Sequence, residues 1–169
     1  MKETLDTLHL AFNPKIDDDA VPAIVLFKRL IFFSIYGTSI GMSGLRKLTQ
    51  TIIEEGRTPA VEIPESCEKY IDSAVHCYLR ITMSEDISDL DKQYLRHPEP
   101  PLVVNPFACL MLSESALRCN LEAHASVNPS ILASGTREEM VKRLMKILER
   151  RKLDQLVYSL FTELGDDDT

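Results

Sequence analysis

The chain has 169 residues, 44% hydrophobic and 27% charged, with a formal net charge of −7 and a pI near 5.1. That length accommodates a single domain with a full core, and the composition is that of a folded chain rather than a disordered one. The acidic balance excludes wholesale coating of nucleic acid, so any contact with a polyanion has to be local; the acidic start Met1-Lys2-Glu3-Thr4-Leu5-Asp6 does not read as a secretory leader.

Residues 4–12 predict a short helix with Leu5, Leu8 and Phe12 on one side, ended by Asn13-Pro14 and the run Asp17-Asp18-Asp19. Ala23 to Tyr36 is the most apolar run in the chain. It is too short to span a bilayer, and Lys28 and Arg29 interrupt its centre, so it predicts a central core helix and no membrane association. A Gly/Ser-rich connector, 37–44, follows, and it lacks the Gly-Lys-Ser/Thr of a phosphate loop. Ser43 then reads as the cap of a helix over Leu45–Glu55 with Gly56 as its stop. Pro64 opens a helix from Glu65 to about Ile81, and Ser84 opens another, with Ile87, Leu90, Tyr94 and Leu95 inward.

His97-Pro98-Glu99-Pro100-Pro101 is stiff and extended and reads as a connection within one domain, 1–169. Asn105-Pro106 places an N-cap and a first-turn proline in order. The helix they open should run to near His124 and bury Phe107, Leu110, Met111, Leu117 and Leu121. LRKLTQTIIEEG and ALRCNLEAHAS both begin helix–loop–helix patterns, but they share only a Leu-Arg pair and read as coincidence. At the end, a step of five from Leu148 to Leu153 breaks the apolar phase. It predicts a bend at Arg150-Arg151-Lys152 before a last helix, Leu153–Leu164. Taken together, the elements predict an all-α, single-domain bundle of about seven helices around 23–36.

Ser134–Lys152 stands apart. Thr136 and Glu139 form a capping box, and Gly135 allows a sharp turn before it. Met140, Val141, Leu144, Ile147 and Leu148 make one apolar stripe. Arg137, Lys142, Arg143, Lys146, Arg150, Arg151 and Lys152 decorate the remaining surface against Glu138, Glu139 and Glu149, so this segment is near +4 and the rest of the chain near −11. Lys142, Lys146 and Arg150 form one row at four-residue steps. The run SGTREEMVKRL resembles the second half of a SAP motif, a helix–loop–helix of chromatin- and RNA-associated proteins, with Leu117 and Leu121 serving its first helix. The resemblance covers 113–152 and implies contact with nucleic acid or with a nucleic-acid-associated partner.

Nothing in the chain demands chemistry. There is no nucleophile elbow and no zincin motif. Cys67, Cys77, Cys109 and Cys119 form no C-x-x-C, so free thiols of a reducing compartment are expected. A zinc site drawn from His76, Cys77, Cys109, Cys119 and His124 is not asked for by the spacing. The expectation is therefore a non-enzymatic binding or adaptor protein, intracellular (cytoplasmic or nuclear), with no metal and no cofactor. Its seven basic residues from Arg137 to Lys152 would contact nucleic acid or an acidic protein. The alternatives are a protein–protein module with an apolar groove between helices, and a small helical enzyme whose site assembles in space.

Overall fold

The computed structural model describes residues 5–76 and 93–162. The chain divides into two compact units, one of Met1–Asp72 and Leu153–Thr169, the other of Ser73–Lys152. The first unit overturns the all-α expectation. It contains a three-stranded parallel sheet: β1 (Thr7–His9), β2 (Phe32–Ser34) and β3 (Ala60–Glu62), in that order across the sheet. Between β1 and β2 the chain makes a 3-10 turn and α1 (Val21–Ile24); between β2 and β3 lies α2 (Met42–Glu54); α3 (Glu65–His76) follows β3.

These are repeats of one unit. Thr7, Phe32 and Ala60 are partners in register, so successive strands start 25 and 28 residues apart, each separated from the next by a helix. Leu8, Phe33 and Val61 occupy the next rung and all pack into the core. The spacing Leu5-x-x-Leu8-x-Leu10-x-x-Asn13 is echoed by Leu30-x-x-Phe33-x-Ile35-x-x-Thr38. A strand-plus-helix unit of this length, stacked on its neighbours, is how solenoid repeats bury a face that none of them could bury alone.

The helix expected over 4–12 is therefore β1 and its flanks, and the one expected over 23–36 is instead the end of α1, a loop and β2. Only the middle strand, β2, is half-buried to buried throughout, and a short apolar run of that kind cannot be separated from a buried helix by periodicity. The two cations that interrupt the run lie in the loop: Lys28 pairs with Glu55, and Arg29 lies 3.7 Å from Asp6. α2 lies near its expected place, and Gly56 follows it at φ +65. Its cap is not Ser43. The N-cap is Gly41, whose amide donates 2.8 Å to Asp18 Oδ1, so a distant carboxylate serves the helix N-terminus. Gly44 has to stay small beneath it, because a Cβ there would come within 2.4 Å of the same oxygen.

A buried polar cluster ties three elements of this unit together. Arg46 Nε donates 2.6 Å to Asp154 Oδ1, and its Nη2 donates 2.8 Å to the Tyr70 hydroxyl. Tyr70 in turn donates 3.2 Å to Asp154 Oδ2. Both charged side chains are about nine-tenths buried, at 9% and 11% exposed. Removing one member strands the other charge out of water. Arg46→Leu should therefore cost about 3–5 kcal/mol, and Arg46→Leu with Asp154→Leu distinctly less than that, as urea denaturation of the three proteins will show.

In the second unit, Asn105 caps a short 3-10 helix (Pro106–Met111), accepting from the Phe107 amide. The chain then extends at Leu112, and Ser113 caps α4 (Glu114–Ala125). The single helix expected over this region is thus two elements, and Phe107, Leu110 and Met111, expected inside, are 71%, 54% and 88% exposed. In a 3-10 helix residues three apart stack on one side; here Pro106 and Cys109 take the inward side, which leaves Phe107 and Leu110 together on the outside. The core here is Cys109, Leu117, Leu121, Met140, Val141, Leu144 and Leu148.

The last helix, α5 (Arg137–Thr162), is continuous through Arg150–Lys152, so the expected bend is absent. The phase slip has another origin: Leu148 belongs to the second unit's core and Val157 to the first unit's, so the two stretches of α5 need not share one apolar phase. Among the described residues, no helix is long and apolar enough to cross a membrane. The helix expected to begin at Ser84 falls largely outside the described residues.

His124 is fully buried at the end of α4. Its Nδ1 accepts 3.0 Å from the Leu95 amide, which requires that nitrogen to be unprotonated. Burial, aided by the nearby Arg151 charge, pushes its pKa down to about 4. In the unfolded chain the imidazole takes up a proton near pH 6.5, while the folded chain refuses it until about 4. Stability should therefore be full above about pH 6.5 and decline by on the order of 2–3 kcal/mol as pH falls toward 4. His124→Leu should flatten that part of the stability–pH curve.

Candidate partner-binding groove along the basic helix

The start of α5 is built as its residues dictate. The Thr136 amide donates 2.8 Å to Glu139 Oε2, and the Glu139 amide donates 3.3 Å to Thr136 Oγ1, the two reciprocal bonds of a capping box. Those bonds from Thr136 hold the Glu139 carboxyl below its ordinary range. Gly135 sits at φ +132, and a Cβ on it would lie 2.7 Å from the same Glu139 oxygen. Glycine is thus required both for the backbone and for the carboxylate's approach.

The seven basic residues fall into two groups. Three arginines serve the fold. Arg137 Nη2 donates to the carbonyls of Leu110 and Leu112 at 2.9 and 3.2 Å, fastening the end of the 3-10 helix to the start of α5. Arg143 Nη1 donates to those of Leu132 and Ser134 at 2.6 and 3.0 Å, closing the loop between α4 and α5. Arg151 Nε donates 2.7 Å to the Arg96 carbonyl, and burial lowers its pKa. Guanidinium forks suit this work, since their fixed donors can serve more than one carbonyl. The other four, Lys142, Lys146, Arg150 and Lys152, are exposed. Lys142, Lys146 and Arg150 keep the row that their spacing implies, and Lys152 lies off it.

Beside that row the surface is concave. A groove of about 490 Å³ runs along α5, with Leu110 of the 3-10 helix as its facing wall. Val141 and Met145 join Leu110 as its apolar lining, and Arg137, Lys142 and Lys146 stand along it. Glu138 and Glu149 line it too, so the charges that face it are mixed rather than uniformly positive. Phe107 and Met111, on the same 3-10 helix as Leu110, extend the exposed apolar surface.

Leu110, Met145, Glu138 and Glu149 are the lining residues that sequence reasoning did not single out. Leu110 was placed in the core by its apparent helix, and nothing in the spacing of α5 announces a wall opposite it. Leu117 and Leu121, the two leucines assigned to the first helix of the SAP-like pattern, are fully buried on α4, and a loop joins α4 to α5.

The other chemistry-bearing residues do not converge. Cys67 and Cys109 are buried free thiols, and Cys119 is free and exposed. Burial raises Cys67 and pushes Cys109 up to about 11, which keeps both protonated and unreactive at neutral pH. Among the described residues no three His, Cys, Asp or Glu side chains stand together as metal ligands. Cys77 lies outside the described residues, and so does the side chain of His76. No family model matches the chain, and neither the curated proteins nor the solved structures contain a match to it.

Because the Thr136 hydroxyl satisfies an α5 amide that would otherwise be orphaned, Thr136→Ala should destabilise the chain by about 1 kcal/mol. A lowered denaturation midpoint at unchanged m-value is the expected reading.

Proposed function

We propose that this chain is a non-enzymatic binding module, acting inside the cell, that takes a protein partner in the groove along α5. The observation that carries this is the division of labour among the basic residues. Arg137, Arg143 and Arg151 are engaged with backbone carbonyls. Of the exposed basic residues that remain, Lys142 and Lys146 stand beside an apolar groove and between Glu138 and Glu149. A groove with an apolar floor and a few charged groups at its rim is how a helix face is recognised. A polyanion gains little from such a floor. The fold adds support of its own, since stacked strand–helix repeats serve as extended binding surfaces. The compartment reading rests on the free thiols.

A second reading keeps the nucleic-acid expectation. Lys142, Lys146 and Arg150 form an exposed row about 6 Å apart per step. With the SAP-like resemblance, that row supports weak, sequence-tolerant contact with phosphates.

The two readings separate cleanly. Leu110→Glu plants a charge in the groove at a half-exposed site that the fold can spare. Lys142, Lys146 and Arg150 changed together to Gln remove the row and leave the apolar face alone. Under the protein reading, partners cross-linked to the full chain survive nuclease treatment and are lost with Leu110→Glu. A labelled 20-base-pair duplex shows no binding at about 50 mM salt. Duplex binding that is lost in the triple variant, with a salt slope of about 2–3 in the wild type, would establish the second reading instead.

A further inference from the structure

The charges along the groove have an order, and that order specifies an occupant. Along α5 they run Arg137, Glu138, Lys142, Lys146, Glu149: an offsetting pair at the first end, two positive charges four residues apart in the middle, and one negative charge three residues beyond them. From Glu138 to Glu149 is about 16 Å along the axis, or three turns. A docked helix that uses residues i, i+3 or i+4, and i+7 as anchors needs about 10–11 Å of groove. The apolar lining, Leu110, Val141 and Met145, offers seats for such anchors, and methionine adapts its shape to what it meets.

We infer that the groove binds an amphipathic helix of a protein partner whose apolar stripe is flanked by a central pair of carboxylates four residues apart, with a basic residue toward the end that meets Glu149. This rests on the reading of the groove as a partner site given above and names what fills it. The central carboxylates face Lys142 and Lys146, and the outer cation faces Glu149; at the other end Arg137 offsets Glu138. Charge order of this kind contributes to specificity and orientation more than to affinity. It also disfavours the rival occupants. A continuous polyanion following α5 meets Glu138 and Glu149 within a turn of each lysine. A second copy lying antiparallel in register sets lysine against lysine and glutamate against glutamate.

Two labelled synthetic helices of 16 residues test this, with identical leucines at i, i+3 and i+7. One carries Glu at the central pair and Lys at the outer position that meets Glu149; the other has those signs exchanged. The full chain should bind the acidic-centred helix at least tenfold more tightly at about 50 mM salt, with the gap narrowing as salt rises. Lys142→Glu with Lys146→Glu should invert the preference, circular dichroism confirming that the variant is folded. Leu110→Glu should abolish binding of both helices.

Equal affinity for the two helices, or a preference that survives the inversion, overturns the inference. So does acidic-helix binding that Leu110→Glu leaves unchanged. Self-association of the chain that Leu110→Glu dissolves would make a second copy the occupant and overturn it as well. If neither helix binds while nuclease-resistant, Leu110-dependent capture persists, the stated occupant is wrong and the binding-module reading stands. If that capture is also absent, both fail.

Discussion

Carbonyls at the ends of short elements have no ladder to join, and three arginines of one helix take them. The Leu110 and Leu112 carbonyls close the 3-10 helix, and both accept from Arg137. That fork, with Cys109 and Leu112 packed in the core that α5 shares, fastens the groove wall to the helix. Arg143 does the same for the loop that leads into the capping box, and Arg151 for the segment around Arg96. Each such bond is worth little more than a neutral one on a solvated surface. Its value lies in fixing backbone that has no regular partner, which is what a binding surface made partly of loop requires.

That use of charge changes how the basic helix reads. Counted as a segment, it carries seven cations in a chain whose net charge is −7, and it resembles a phosphate-contacting face. Counted by side chain, three of the seven are engaged with backbone carbonyls, and the three that line the groove, Arg137, Lys142 and Lys146, share it with Glu138 and Glu149. The field such an arrangement projects is short-ranged and patterned. It suits the recognition of a patterned surface rather than a uniformly charged one.

Local signals were legible in the chain, and they held where the structure is locally determined. The Thr136–Glu139 box, the Asn105-Pro106 cap, the helix following the Gly/Ser connector and the Gly56 stop each need only a few adjacent residues. What was not legible depends on partners far away. Phe32–Ser34 lies inside a run that could fold either way, and its parallel neighbours at Thr7–His9 and Ala60–Glu62 make it a strand. The aromatic and β-branched content of Ile31-Phe32-Phe33-Ser34-Ile35 suits a strand, a signal that the reading of 23–36 as one apolar helix did not use. The repeat was hidden for the same reason, since only leucine-like positions recur, at unequal spacings of 25 and 28 residues. In the site, the lysine row followed from spacing alone. The sorting of arginines into structural clasps and the outward turn of Phe107, Leu110 and Met111 required the tertiary fold.

The equal stacking of the three strands also shapes how the first unit gains its order. Every rung of the sheet joins only sequence neighbours, β1 to β2 and β2 to β3, so β1 has no ladder with β3. Damage is therefore graded by position. A lesion in β1 spoils one seam and spares the other, whereas a lesion in β2, at Phe33 for example, opens both. Assembly can begin at either seam and spread to the next, in the manner of a short one-dimensional chain of coupled units. Tolerance to variation in this half of the protein should accordingly fall toward the middle strand and rise toward its edges.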